Sequence, residues 1–143
     1  MMMRRTVVVM AIKPKYAEAI YSGKKRWEFR KAPPPVPGWV WLYESAPVSA
    51  ITGQVYLALK IQGDPSFVWS IAKNQKEIGV GNVTGITEKA FRDYIGKKET
   101  VAACATFFAE RTASGPIPLP PGVRPPQNWC RYYIPDESEA SDD

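Results

Sequence analysis

The spacing of apolar positions along this chain changes several times, and each change marks an element. Residues 6–12, "TVVVMAI", form an unbroken β-branched apolar run, the pattern of a buried strand. Pro14 then suits a first helical turn, Ala17, Ala19 and Ile20 suit a helix, and Gly23 suits its stop. The spacing predicts a short helix over 14–22. Charged and aromatic side chains alternate through "KRWEFRK", a period of two. A strand from Lys25 to Lys31 follows, with Trp27 and Phe29 on one face and Arg26, Glu28 and Arg30 on the other. "APPPVPG" is a rigid loop, because proline lacks the N–H that a ladder needs. "WVWLYES" (39–45) and "ITGQVYLALKIQ" (51–62) are two more strands, joined by "APVS". The second is long enough to require a bend or bulge near Gly53.

The middle of the chain is helical. Asp64 as N-cap, Pro65 at the first position and the stripe Phe67, Val68, Ile71 predict one helix. Thr87 as cap and Gly96 as stop predict a second. Between them, "GVGNVTG" reads as a flexible connection. It lacks the Gly-Lys-Ser/Thr ending and the strand–loop–helix order of a phosphate-binding loop. "ETVAACATFFAERT" (99–112) is a strand by its β-branched and aromatic content, "SGPIPLPPGVRPPQN" a proline-rich loop, and "WCRYYI" (129–134) a closing strand. The aromatic strand after each proline segment cannot form a core alone, so these segments are loops inside one domain. The expectation is a single α+β domain over 1–135. Its architecture would be a small, closed or nearly closed β-barrel of about six strands, with an early short helix and a central helical pair.

Composition excludes several classes. The chain has 143 residues, 45% hydrophobic and 23% charged, which fits one globular domain with a core of its own. No apolar run approaches the ~20 residues of a membrane span. The opening "MMMRRTVVVMAIKPKY" lacks a small-residue cleavage site and reads as a core strand rather than a signal peptide. Cys104 and Cys130 both fall in predicted strands, where they read as small apolar residues of a reduced, cytoplasmic protein. There is no histidine, which removes Ser-His-Asp triads, Cys-His pairs and His-ligated metal sites. Neither a metal-ligand set nor a cofactor motif is recognisable.

Charge adds a direction. The net charge is +5, but residues 136–143 hold five acids and no base, so the rest of the chain carries 19 basic against nine acidic residues. That tail is expected to be disordered and solubilising. Residues 1–31 contain nine basic residues against Glu18 and Glu28. A local excess of this kind suits a polyanion, although solubility alone also explains surface charge. On the Arg26/Glu28/Arg30 face, two guanidiniums flank one carboxylate. Arginine contacts a phosphate or a base edge bidentately, and a carboxylate accepts from an exocyclic amine. The same three residues also make an ordinary cross-strand ion ladder, and spacing leaves both readings open.

Gly23, Lys25, Glu28 and Arg30 spell G-x-K-x-x-E-x-R, which resembles the signature of the ASCH domain family. "IKPKYAEAIYSGKK" is similar to that family's strand–helix entry, "WLYESAPVSAITGQV" to its next strand pair, and "IPL…PPQNWCRYYI" to its closing segment. The resemblance covers roughly residues 6–134. It implies a β-barrel related to the PUA domain of RNA-modifying proteins, with a cleft between barrel and helices proposed to bind RNA or a nucleotide-like ligand. Lys25, Glu28 and Arg30 would line that cleft. Lys13, Lys15 and Tyr16 from the adjacent turn and helix, Ser45 from a strand end and Gln127 from the closing segment are added as neighbours.

The expected partner is therefore RNA or a nucleotide-like small molecule, with a protein partner left open. Expected function is RNA or nucleotide-ligand binding linked to RNA metabolism or regulation. Hydrolysis of a modified nucleoside or of RNA is the alternative, with Lys25 and Glu28 as working groups. A regulatory protein-interaction module, using Trp39, Trp41 or the proline loops, is the third reading. One small family member is an amidohydrolase acting on acetylated cytidine through a lysine, a threonine three residues later and a distant glutamate. Lys25 matches the lysine; Glu28 stands at the threonine position and Asn82 near the glutamate position. A lysine–carboxylate pair still moves protons where burial shifts its pKa values.

Overall fold

Strands and short helices follow one another along the chain in the order that the sequence suggests. The computed structural model describes residues 5–74 and 84–134. Most of the "GVGNVTG" connection, Asn82 and the acidic tail lie outside the described residues. The strands are β1 (Arg5–Ile12), β2 (Trp27–Arg30), β3 (Gly38–Glu44), β4 (Ala50–Gly63), β5 (Val101–Arg111) and β6 (Trp129–Ile134). The helices are α1 (Pro14–Tyr21), α2 (Pro65–Lys73) and α3 (Glu88–Ile95).

All six strands join one sheet in the order β2-β5-β4-β3-β1-β6. β1 and β3 run parallel, and the other neighbours are antiparallel. The bulge expected near Gly53 is present. Leu42 pairs with Gly53 and Tyr43 with Ile51, which leaves Thr52 as the extra residue.

The α+β architecture of six strands and three helices is as expected, although the sheet does not close into a barrel. β2 and β6 are the two ends of the sheet and share no ladder, so the fold is α+β with an open six-stranded sheet. The reason lies in the chain after β2. Pro33, Pro34 and Pro35 offer no N–H with which a ladder could continue toward β6.

Helices pack on both faces of the sheet. On one, α1 sets Ala17 and Ile20 against Met10, Ile12, Val40, Leu42, Val55, Leu57 and Cys104. On the other, α2 and α3 set Val68, Trp69, Ala72, Phe91 and Ile95 against Trp27, Phe29, Val101, Ala103 and Ala105. The alanines of β5 let the two helices approach closely, and the rings of Phe29, Trp69 and Phe91 stack within 4.8–5.8 Å of one another. α2 begins as predicted, with the Asp64 carboxylate accepting from the Phe67 N–H. Its buried stripe differs from the predicted one: Val68, Trp69 and Ala72 face the core, while Phe67 stands in solvent. Thr87 caps α3 and Gly96 ends it with a positive φ.

Candidate functional site

Lys25 occupies the turn between α1 and β2, and its backbone is held from both sides. Its N–H donates to Ala19 O at 2.9 Å on the helix, and its carbonyl accepts from Thr106 Oγ1 at 3.3 Å on β5. The segment before α3 lies directly on the lysine stem. A Cβ on Gly85 would fall 2.4 Å from the Lys25 Cβ, and Gly85 has φ +67, so both space and conformation require glycine there. The Lys25 ammonium donates to Thr84 O at 3.0 Å, and its Nζ sits 5.0 Å from the Phe29 ring centre and 5.5 Å from that of Tyr16.

This surrounding has an electrostatic consequence. Lys25 is 2% exposed. Burial, which penalises the charged form, pulls its pKa below the usual lysine value; Glu28 opposes the shift and Arg30 adds to it. The shift makes the Lys25 ammonium easier to deprotonate than an ordinary lysine, while its bond to Thr84 O and the two rings still favour the charged form.

Glu28 and Arg30 point to the opposite face of β2 from Trp27 and Phe29, as the alternation predicts. Both are buried, and the Arg30 Nε lies 3.5 Å from Glu28 Oε1. The other Arg30 nitrogens face protein acceptors. Nη1 donates to Asn128 Oδ1 at 2.8 Å and Nη2 to Ala11 O at 2.6 Å. Asn128 in turn donates through Nδ2 to Ala32 O at 2.7 Å, and Trp129 Nε1 donates to the same oxygen at 3.2 Å. Side chains thus tie the two ends of the sheet together where no ladder does. Glu28 Oε2, by contrast, is buried with no hydrogen-bond partner among the described residues. A buried carboxylate oxygen in that state is open to a donor from water or a bound molecule.

A cleft of about 670 Å³ opens beside these groups, a volume in the usual range for small-molecule sites. All eight residues picked out from the sequence line it: Lys13, Lys15 and Tyr16 at the start of α1, Lys25, Glu28 and Arg30, Ser45 after β3, and Gln127 before β6. Lys13, Lys15 and Gln127 are exposed at the rim, whereas Lys25, Glu28 and Arg30 are buried at the floor. The opposite wall was missed. It comes from Ile86 and from Ala90, Asp93 and Tyr94 of α3. The spacing of those three, one helical turn, puts them on one face, but nothing in sequence says that this face meets β2. Tyr94 is tied to the strand end through Lys31, whose backbone N–H donates to Tyr94 Oη at 3.4 Å and whose ammonium lies over the ring. Asp93 is engaged by Lys89 at 2.9 Å.

The motif, its strand and all of the cleft lining except Pro126 and Gln127 fall inside the stretch that matches a known domain: residues 10–114 match the ASCH domain. This chain belongs to the ASCH family. A curated relative described as an ASCH domain-containing ribonuclease, from Zymomonas mobilis, is 31% identical over 137 residues, covering 89% of this chain and 86% of the relative. Among solved structures, the ASCH protein from Zymomonas mobilis superposes with a TM-score of 0.71 at 28% identity, covering 93% of this chain and 90% of that one. A tyrosine-to-phenylalanine variant of the same protein gives a TM-score of 0.72 at 28% identity, covering 88% and 89%. In this ASCH chain Gly23 and Lys25 lie in the turn after α1, and Glu28 and Arg30 lie on β2.

Proposed function

We propose that this ASCH protein binds RNA in the basic cleft and cleaves it there, with Lys25 as the group that accepts the proton. The observation that carries this reading is the buried Lys25 amine on the cleft floor, displaced toward neutrality by its burial. The curated relative named as a ribonuclease supports the substrate class.

The chemistry follows from what RNA brings. Its 2′-hydroxyl is a nucleophile next to the phosphorus it can attack. The neutral Lys25 amine takes the hydroxyl proton, O2′ bonds to phosphorus, and the bond from phosphorus to the 5′-oxygen breaks. The leaving oxygen collects a proton from a rim ammonium, Lys13 or Lys15. The products are a 2′,3′-cyclic phosphate and a 5′-hydroxyl. The rim lysines also place positive charge near the oxygens on which charge develops. Glu28 Oε2 is free to accept a hydroxyl or amine of the bound nucleotide. Arg30 acts at one remove, by holding Glu28 and the sheet ends in place.

The experiment is incubation of labelled single-stranded RNA with the wild-type protein and with Lys25→Ala. Product ends with cyclic phosphate, absent in the variant and absent with a 2′-deoxy substrate, support cleavage by Lys25. Salt-sensitive binding without cleavage would leave the protein as a binder only.

A further inference from the structure

The part of the sheet left uncovered by α2 and α3 carries a row of aromatic rings. Trp39 on β3 sits opposite Tyr56 on β4 with ring centres 5.3 Å apart, and Phe108 on β5 lies 6.5 Å from each. Trp39 is 48% exposed and Phe108 73%, far more than packing would leave. Phe108 also has φ +55, a left-handed conformation that is strained for a bulky side chain. It follows Phe107, which packs on the α2/α3 side, while Ala109 turns back to the α1 side. The strained residue thus presents a second consecutive ring on the outer face.

The row runs into a cation. The Phe107 ring is 6.1 Å from that of Phe108, and the Arg26 guanidinium lies 5.3 Å above it. Arg26 directly follows Lys25, and Thr106 holds both, its N–H donating to Arg26 O at 3.0 Å and its hydroxyl to Lys25 O at 3.3 Å. The row is therefore continuous with the segment that forms the cleft floor. A purely apolar partner has no use for a guanidinium at one end of such a row. A single strand of nucleic acid needs both, because phosphates and stackable bases alternate along it.

We propose that Trp39, Tyr56 and Phe108 form a stacking platform for unpaired bases of a single-stranded RNA that leaves the cleft past Arg26. This rests on the RNA reading of the cleft and extends it from one nucleotide to a run of several.

The test measures affinity of 2′-O-methyl RNA, which cannot be cleaved, as a trinucleotide and as an oligomer of about twelve nucleotides. Trp39→Ala and Phe108→Gly should each weaken oligomer binding about tenfold and leave the trinucleotide unchanged. Glycine accepts the backbone conformation of Phe108, so Phe108→Gly should melt no lower than wild type, which separates lost affinity from lost folding. Equal binding of both RNAs by wild type and variants would overturn the platform and leave the cleft reading intact. Failure of wild type to bind either RNA would bring down both. Variants that bind RNA normally but lose self-association would assign the face to protein contact and also overturn the proposal.

Discussion

Arg30 on β2 donates to the side-chain oxygen of Asn128 at 2.8 Å, across 98 residues of chain, and this bond joins the two ends of an open sheet. The arginine of the family signature is therefore a latch. Its guanidinium faces Asn128, Ala11 and Glu28, and the exposed cations at the cleft rim are Lys13 and Lys15.

Arg30→Ala should destabilise the fold by about 3–5 kcal/mol, because it strands the Glu28 carboxylate in a buried site and frees two acceptors. Asn128→Ala should cost about 1–3 kcal/mol. The two residues share one bond, so their effects in urea unfolding should be less than additive. Additive losses would contradict the latch.

Lys25→Met should make stability less dependent on pH. Below its lowered pKa, Lys25 is protonated in both folded and unfolded chains, and the folded protein bears the full burial penalty. As pH rises from that value toward 10.5, the folded amine loses its proton while the unfolded one keeps it, so wild-type stability rises. The methionine variant lacks this rise. Its advantage over wild type should be largest below the lowered pKa and vanish near the unfolded lysine value. Cys104, whose thiol burial pushes up to about 12 from 9.0, lowers stability over that upper range, but equally in both proteins. Paired unfolding curves across pH measure the difference.

Gly85→Ala should displace the Lys25 stem, since the new methyl would sit 2.4 Å from its Cβ. Gly96→Ala, with a similar φ of +60 but nothing within 4 Å, bears only the conformational cost of about 1 kcal/mol. The first should abolish RNA processing and the second should spare it. Equal effects would show that the site does not depend on the position of Lys25.

Salt titration of RNA binding should separate the roles of the cations. Lys13→Ala and Lys15→Ala should each reduce the slope of log affinity against log salt by about 0.7, one phosphate contact on a single strand. A slope near zero in wild type would remove an RNA backbone partner altogether.

Much of this was legible in the chain. The alternation in "KRWEFRK" is enough to place Trp27 and Phe29 on one face of β2 and Glu28 and Arg30 on the other, because side chains alternate along a strand. Asp64, Thr87 and Gly96 mark helix ends because capping is a local event. The eight residues named from the sequence line one cleft, but its far wall did not follow from sequence: which face of α3 meets β2 is a tertiary choice. The six-stranded α+β sheet is as expected, but its two ends are joined by side chains and not by a ladder. Its sealing depends on Arg30, Asn128 and Ala32, and no local pattern announces a contact so distant. Lys25 shares the parity of Phe29, and both line the cleft because it wraps the end of β2.

The most direct measurement is the pH profile of single-turnover cleavage of a short RNA by wild type and by Lys25→Ala, with product ends identified. Cyclic phosphate ends should appear with wild type alone, and the rate should rise through a pKa below that of an ordinary lysine and then level off. Cleavage that persists in Lys25→Ala with the same profile would contradict the assignment of Lys25 as the proton acceptor.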